Sequence, residues 1–131
     1  MGDVRNMSDY NSLRTGPAPS PRARKDAVYA RTAADDEAGT ACRDQVRRAL
    51  ELLGTPARAA VYADARRSGL DADRPGLLRL LADIRRGGLR RLVVRDLTRL
   101  ARSAALLETI LRELRAGGVE LLTAEGAERH A

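Results

Sequence analysis

Phenylalanine and tryptophan are absent from the chain, and tyrosine occurs only as Tyr10, Tyr29 and Tyr62. A core without large rings has to be filled by Leu, Val, Ile and Ala, which favours helices laid on a sheet. Cys42 is the only cysteine, so no intramolecular disulfide can form and a reducing interior is expected. With His130 as the only histidine, no metal cluster is expected either. No apolar run approaches the ~20 residues of a membrane helix. The N-terminus, with Asp3 and Asp9 and no apolar stretch, does not read as a secretory signal. A cytoplasmic protein without membrane contact is the expectation. Lysine is nearly missing too: Lys25 stands alone, so the net charge of +6 is carried by arginine. Arginine forks suit phosphate, but a GC-rich coding bias yields the same composition, and charge alone does not choose between the two.

The 131 residues fit one domain of ordinary size. Residues 1–25 contain Gly16, Pro17, Pro19, Ser20 and Pro21 among scattered charges and bury too little apolar surface to offset ordering entropy, so a disordered tail is expected there. Within it, Arg22-Ala23-Arg24-Lys25 reads as a solvated linker end or as a weak electrostatic attractor of nucleic acid. The body is expected over 26–126, with a short tail at 127–131.

Within the body, strands are expected at 28–32, 59–63, 92–94 and 119–123. Helices are expected at 36–53, 75–86 and 103–116, stopped by Gly54-Thr55-Pro56, Gly87-Gly88 and Gly117-Gly118. Strands alternating with helices predict an α/β fold with a mainly parallel sheet flanked by helices. In such a sheet the functional loops lie beyond the carboxyl ends of the strands, here 31–36, 64–74 and 95–102. The last of these carries Arg95, Arg99 and Arg102. If helical, it would set Arg99 and Arg102 on one face as a pair of forks for phosphate oxygens. The alternative is a solvated, salt-bridged helix start.

Read together, the loops resemble something more specific. Tyr29-Ala30-Arg31, Gln45, Asp64 with Ser68-Gly69, Asp73-Arg74-Pro75-Gly76-Leu77 and Leu97-x-Arg99-Leu100-x-Arg102 follow one another in the order and rough spacing of the serine recombinases. The resemblance is to the catalytic domain of resolvases, invertases and large integrases and covers about residues 27–126. It implies a fold in which a serine hydroxyl attacks a DNA phosphodiester. A covalent phosphoserine link forms, and strands exchange within a tetramer without metal or nucleotide cofactor. It also implies that Arg31, Arg74, Arg99 and Arg102 surround the scissile phosphate, with Tyr29 and Gln45 in the same DNA-binding site.

The chain departs from the pattern in three ways. Ala33 stands where the family writes its nucleophilic serine, followed by Ala34 where a second hydroxyl is common. Thr98 replaces the aspartate of Leu-Asp-Arg-Leu. The sequence stops at Ala131, ahead of the long dimer helix and separate DNA-binding domain of family members. A methyl group has no lone pair to attack phosphorus. Thr32 is a poor substitute because successive strand residues face opposite ways, and Ser68 or Thr40 would need the loops to rearrange.

The expected function is therefore a catalytically silent recombinase-fold domain, not active alone. It would bind DNA phosphate weakly and without sequence preference, form a homo-oligomer, or associate with an active recombinase. One alternative is residual strand exchange through another hydroxyl or a partner's serine; another is a mobile-element remnant without a role. Clustered arginines repel one another by about 1 kcal/mol per close pair. Either an anion at the site or the carboxylates of Asp64, Asp71 and Asp73 would relieve that repulsion.

Overall fold

The computed structural model describes residues 24–54, 58–67 and 74–125. Most of the expected N-terminal tail, the 127–131 tail with His130, and Thr55, Pro56, Ser68, Gly69, Asp71 and Asp73 lie outside the described residues. Among the described residues, four strands are connected by helices, two of them between the third and fourth strands: β1 (Lys25–Arg31), α1 (Thr40–Leu53), β2 (Ala60–Asp64), α2 (Pro75–Arg85), β3 (Leu89–Val94), α3 (Leu97–Leu100), α4 (Ala104–Ala116) and β4 (Glu120–Thr123). The strands form one sheet in the order β2-β1-β3-β4, and every pairing is parallel. The α/β expectation with its parallel sheet holds.

The scarcity of large rings shows in how the two faces are filled. On one side Val28 and Val93 pack against Ala49 and Leu53 of α1, a small cluster that one helix covers. On the other, Ala27, Tyr29, Leu92, Val94 and Leu121 meet Leu77, Leu80 and Ile84 of α2 and Ile110 and Leu114 of α4. Leu80, Ile110 and Leu114 are fully buried. Each such side chain contributes about 1.5–3 kcal/mol relative to an exposed one. β1 and β3 are central and apolar on both faces, as a sheet covered on both sides requires.

Several boundaries moved, each for a physical reason. β1 begins at Lys25 rather than Val28 because the Asp26 carboxylate, buried at the strand start, is gripped by Arg90 at 2.8 Å and Arg91 at 2.6 Å. That same grip explains why β3 starts at Leu89, three residues earlier than expected. α1 begins at Thr40, not Asp36, because Gly39 adopts a left-handed conformation (φ 73°) and breaks the chain direction there. Asp36 instead serves the helix from outside, accepting N–H bonds from Ala41 (3.0 Å) and Cys42 (3.1 Å). α4 is capped by Ser103, whose hydroxyl accepts the Leu106 N–H.

Candidate functional site

The carboxyl ends of β1 and β2 and the segment after β3 meet at one end of the sheet, and the arginines singled out by the sequence converge there. Asp64, the last residue of β2 and the register partner of Arg31, organises the floor. Its carboxylate accepts the Tyr29 hydroxyl at 2.7 Å and the N–H groups of Gly76 and Leu77 at 2.8 and 2.9 Å, so it caps α2 from below. Burial first, and then the bond to Asp64, push the Tyr29 phenol well above its ordinary pKa. Tyr29 stays protonated and acts as a strut.

Arg74, immediately before α2, is fully buried and lies over the Tyr29 ring with 5.8 Å from guanidinium carbon to centroid. Its Nη1 donates to the Tyr29 hydroxyl at 3.3 Å and to the carbonyl of Arg99 at 3.0 Å, and its Nη2 donates to the carbonyl of Leu100. Arg31, 3% exposed, donates from Nε to the Arg99 carbonyl (3.1 Å), from Nη1 to the Arg67 carbonyl (2.8 Å) and from Nη2 to the Thr98 carbonyl (2.8 Å). The two buried guanidiniums thus hold the α3 turn against the sheet through its carbonyls. Gln45 on α1 completes the frame. It accepts the Arg31 N–H at 3.3 Å and donates to the Arg31 carbonyl at 3.0 Å, a carbonyl that also accepts from Arg99 Nη1 at 3.2 Å.

Positive charge accumulates here. Burial and then the guanidiniums of Arg99, Arg74 and Arg102 lower the Arg31 pKa from its ordinary value, though an arginine remains charged. Arg74 Nε and Arg99 Nε are buried without a hydrogen-bond partner. Asp96 lies 3.4 Å from Arg99 Nε as an ion pair. Of the carboxylates weighed as internal neutralisers, Asp64 makes no direct ion pair with the described arginines; its carboxylate is taken up by the start of α2 and by the Tyr29 hydroxyl, through which it is linked to Arg74. Asp71 and Asp73 lie outside the described residues.

The shared helical face that Arg99 and Arg102 would have if 95–102 were helical does not form. α3 ends at Leu100, and Ala101 is extended (φ −164°, ψ 148°), so Arg102 leaves the helix and is exposed. Thr98, whose hydroxyl bonds Asp96, exposes its side chain and contributes its carbonyl to Arg31.

Ala33 is exposed in the loop two residues past Arg31. Two of the hydroxyls weighed as substitutes, Thr32 and Thr40, have partners, and Ser68 lies outside the described residues. Thr32, 4% exposed, donates to Asp36 at 2.7 Å and accepts the Arg66 N–H at 3.3 Å. That donation, together with the N–H groups of Ala41 and Cys42, holds the Asp36 carboxyl below the usual range. Thr40 accepts from Arg43 at 3.3 Å on the exposed start of α1.

Sequence reasoning missed three contributors. Arg67 supplies a backbone carbonyl, which no side-chain pattern reveals. Asp36 was absorbed into an expected helix, although an Asp a few residues ahead of a helix preceded by Gly39 is a legible capping signal. Asp96 was passed over beside its arginine neighbours. Among the described residues no group of three or more His, Cys, Asp or Glu side chains is arranged to hold a metal, and no helix is long and apolar enough to cross a membrane. Cys42 is buried, which raises its thiol pKa.

A parallel α/β domain with an arginine-rich site at the carboxyl ends of its strands defines the class, and comparison with known proteins defines the family. Residues 27–130 match the family model described as the resolvase N-terminal domain. No curated protein matched. A serine recombinase from Sulfolobus solfataricus superposes with a TM-score of 0.67 at 29% identity, covering 77% of this chain and 68% of that one. A resolvase-family site-specific recombinase from Streptococcus pneumoniae gives 0.63 at 26% identity, covering 81% and 75%. The N-terminal catalytic domain of TP901-1 integrase gives 0.67 at 22% identity, covering 81% of each chain, a likeness of fold. The chain belongs to the resolvase N-terminal domain family, the serine-recombinase type of domain linked to site-specific DNA recombination.

Proposed function

We propose that this domain is a recombinase catalytic fold that has kept its phosphate-binding end and lost its nucleophile. It acts by binding DNA phosphate, or by associating with an active recombinase or a second copy of itself, rather than by cutting DNA. The single observation that carries the reading is the exposed methyl of Ala33 two residues from Arg31, at the end of the sheet where Arg31, Arg74 and Arg99 meet. On the family pattern the attacking hydroxyl belongs at Ala33. Losing a catalytic serine elsewhere costs about 10⁶ in turnover.

The rival reading, in which another hydroxyl substitutes, is disfavoured by geometry. Thr32 is buried and bonded to Asp36, and Thr98 is bonded to Asp96. The Tyr29 phenol is buried and bonded to Asp64. Retention of Tyr29, Gln45 and all four arginines beside the missing serine argues against a remnant without a role, since drift removes arginines as readily as serine.

The DNA-binding reading is tested by fluorescence anisotropy of a labelled duplex titrated with the protein at several salt concentrations. Phosphate contacts predict a log–log slope of about −0.9 per phosphate neutralised. A flat response refutes it.

A further inference from the structure

Arg31 and Arg74 spend their guanidiniums inward: both are almost wholly buried, and their partners are backbone carbonyls and the Tyr29 hydroxyl. A phosphate arriving from outside must therefore be met first by other cations. The segment Ala65-Arg66-Arg67 after β2 supplies two. Its backbone is stitched to Arg31 and Thr32, just ahead of Ala33, by three hydrogen bonds. Arg67 N–H donates to the Thr32 carbonyl at 2.7 Å, Arg66 N–H donates to the Thr32 hydroxyl at 3.3 Å, and the Arg67 carbonyl accepts from Arg31 Nη1 at 2.8 Å.

Arg66 is also the one non-glycine residue with positive φ (65°) among the described residues. That conformation costs an L-residue free energy, and it persists only where the surroundings impose it, as they do at functional sites. Both side chains are exposed. Neither guanidinium has a hydrogen-bond or carboxylate partner among the described residues, and the same holds for exposed Arg102.

We propose that Arg66 and Arg67, with Arg102, form an outward row that contacts the DNA backbone beside Ala33, while Arg31 fixes that row in place. The inference rests on the DNA-binding reading and adds two contact residues outside the recombinase motif. It requires no bond making or breaking.

The test compares the wild-type chain with Arg66→Gln/Arg67→Gln and with a control, Arg112→Gln/Arg115→Gln, on the exposed side of α4 toward the other end of the sheet. Each is titrated into a labelled duplex at salt concentrations between 50 and 200 mM, and thermal melting checks folding. Loss of two phosphate contacts makes the slope shallower by about 1.8, which over that fourfold salt range is a roughly twelvefold smaller loss of affinity. The control keeps the wild-type slope, and all three proteins melt alike. A wild-type slope retained by Arg66→Gln/Arg67→Gln overturns the inference and leaves the DNA-binding reading standing. An equal change in the control overturns it too, because the effect is then one of net charge. Salt-independent behaviour of the wild type overturns both.

Discussion

Replacing Asp64 by asparagine tests how the site is held together. The carboxylate has two oxygens with three donors: one accepts Gly76 N–H at 2.8 Å, the other accepts Leu77 N–H at 2.9 Å and Tyr29 O–H at 2.7 Å. An asparagine keeps one acceptor. With its oxygen toward Leu77 and Tyr29, its amide nitrogen faces the Gly76 N–H, donor against donor, in a pocket where Asp64 is buried. Each unsatisfied buried donor costs about 1–3 kcal/mol, and loss of the negative charge at the start of α2 removes a further ~0.3–1 kcal/mol. The expected destabilisation is about 3 kcal/mol, a large part of the 5–15 kcal/mol that holds a typical domain together. Melting should fall by roughly 10–20 °C for a folded body near 100 residues. Urea unfolding followed by circular dichroism measures the change directly. A loss below about 0.5 kcal/mol, the range of an ordinary surface substitution, would refute the assignment of Asp64 as the junction of β2, α2 and Tyr29.

Two further outcomes follow from other parts of the molecule. The Asp26 carboxyl is held at about 2 by the hydrogen bond from Arg91, then by Arg90 and both charges, against burial that opposes them. Its folded pKa lies below the ordinary carboxylate value, so its contribution is complete above about pH 4 and is lost as pH falls toward 2. Discounted for the exposure of its partners, that is on the order of 1–2 kcal/mol, and Asp26→Asn should flatten the acid limb of a stability–pH curve. Gly76→Ala should cost about 1–3 kcal/mol by overpacking, because its Cβ would sit 2.7 Å from the Ala63 carbonyl and 2.9 Å from the Asp64 carboxylate. Unchanged melting of that variant would mean that α2 sits further from β2 than described.

The layered architecture was legible because alternation of apolar strands with helices of 12 to 18 residues leaves few other arrangements. The site was legible as far as it is written in side-chain types at family spacing: Tyr29, Arg31, Gln45, Arg74 and Arg99 do come together through hydrogen bonds. What stayed hidden is written in backbone. Nothing in the sequence announces that Arg31 and Arg74 would turn inward onto the carbonyls of Arg67, Thr98, Arg99 and Leu100. The stretch from Leu97 to Arg102 reads as a loop that would pair Arg99 with Arg102 only if helical, and its one helical turn ends at Leu100, where Ala101 is extended. Lys25 falls in the expected tail and Arg90-Arg91 ahead of the expected strand 92–94, because charged strand starts break the apolar pattern; the ion pairs of Asp26 with Arg90 and Arg91, 64 and 65 residues away in sequence, accompany the strand pairing there. Arg66 and Arg67 are not singled out within the 64–74 loop, since neither the positive φ nor the bonds to Thr32 have a signature in residue type.

The central claim, that this end of the sheet meets DNA without an attacking atom, is tested most directly by seeking a covalent bond. The protein is incubated with supercoiled plasmid, denatured, digested with nuclease and protease, and examined by mass spectrometry for nucleotide-bearing peptides. The account predicts none from the wild-type chain. A nucleotide attached to any of its hydroxyls would contradict it.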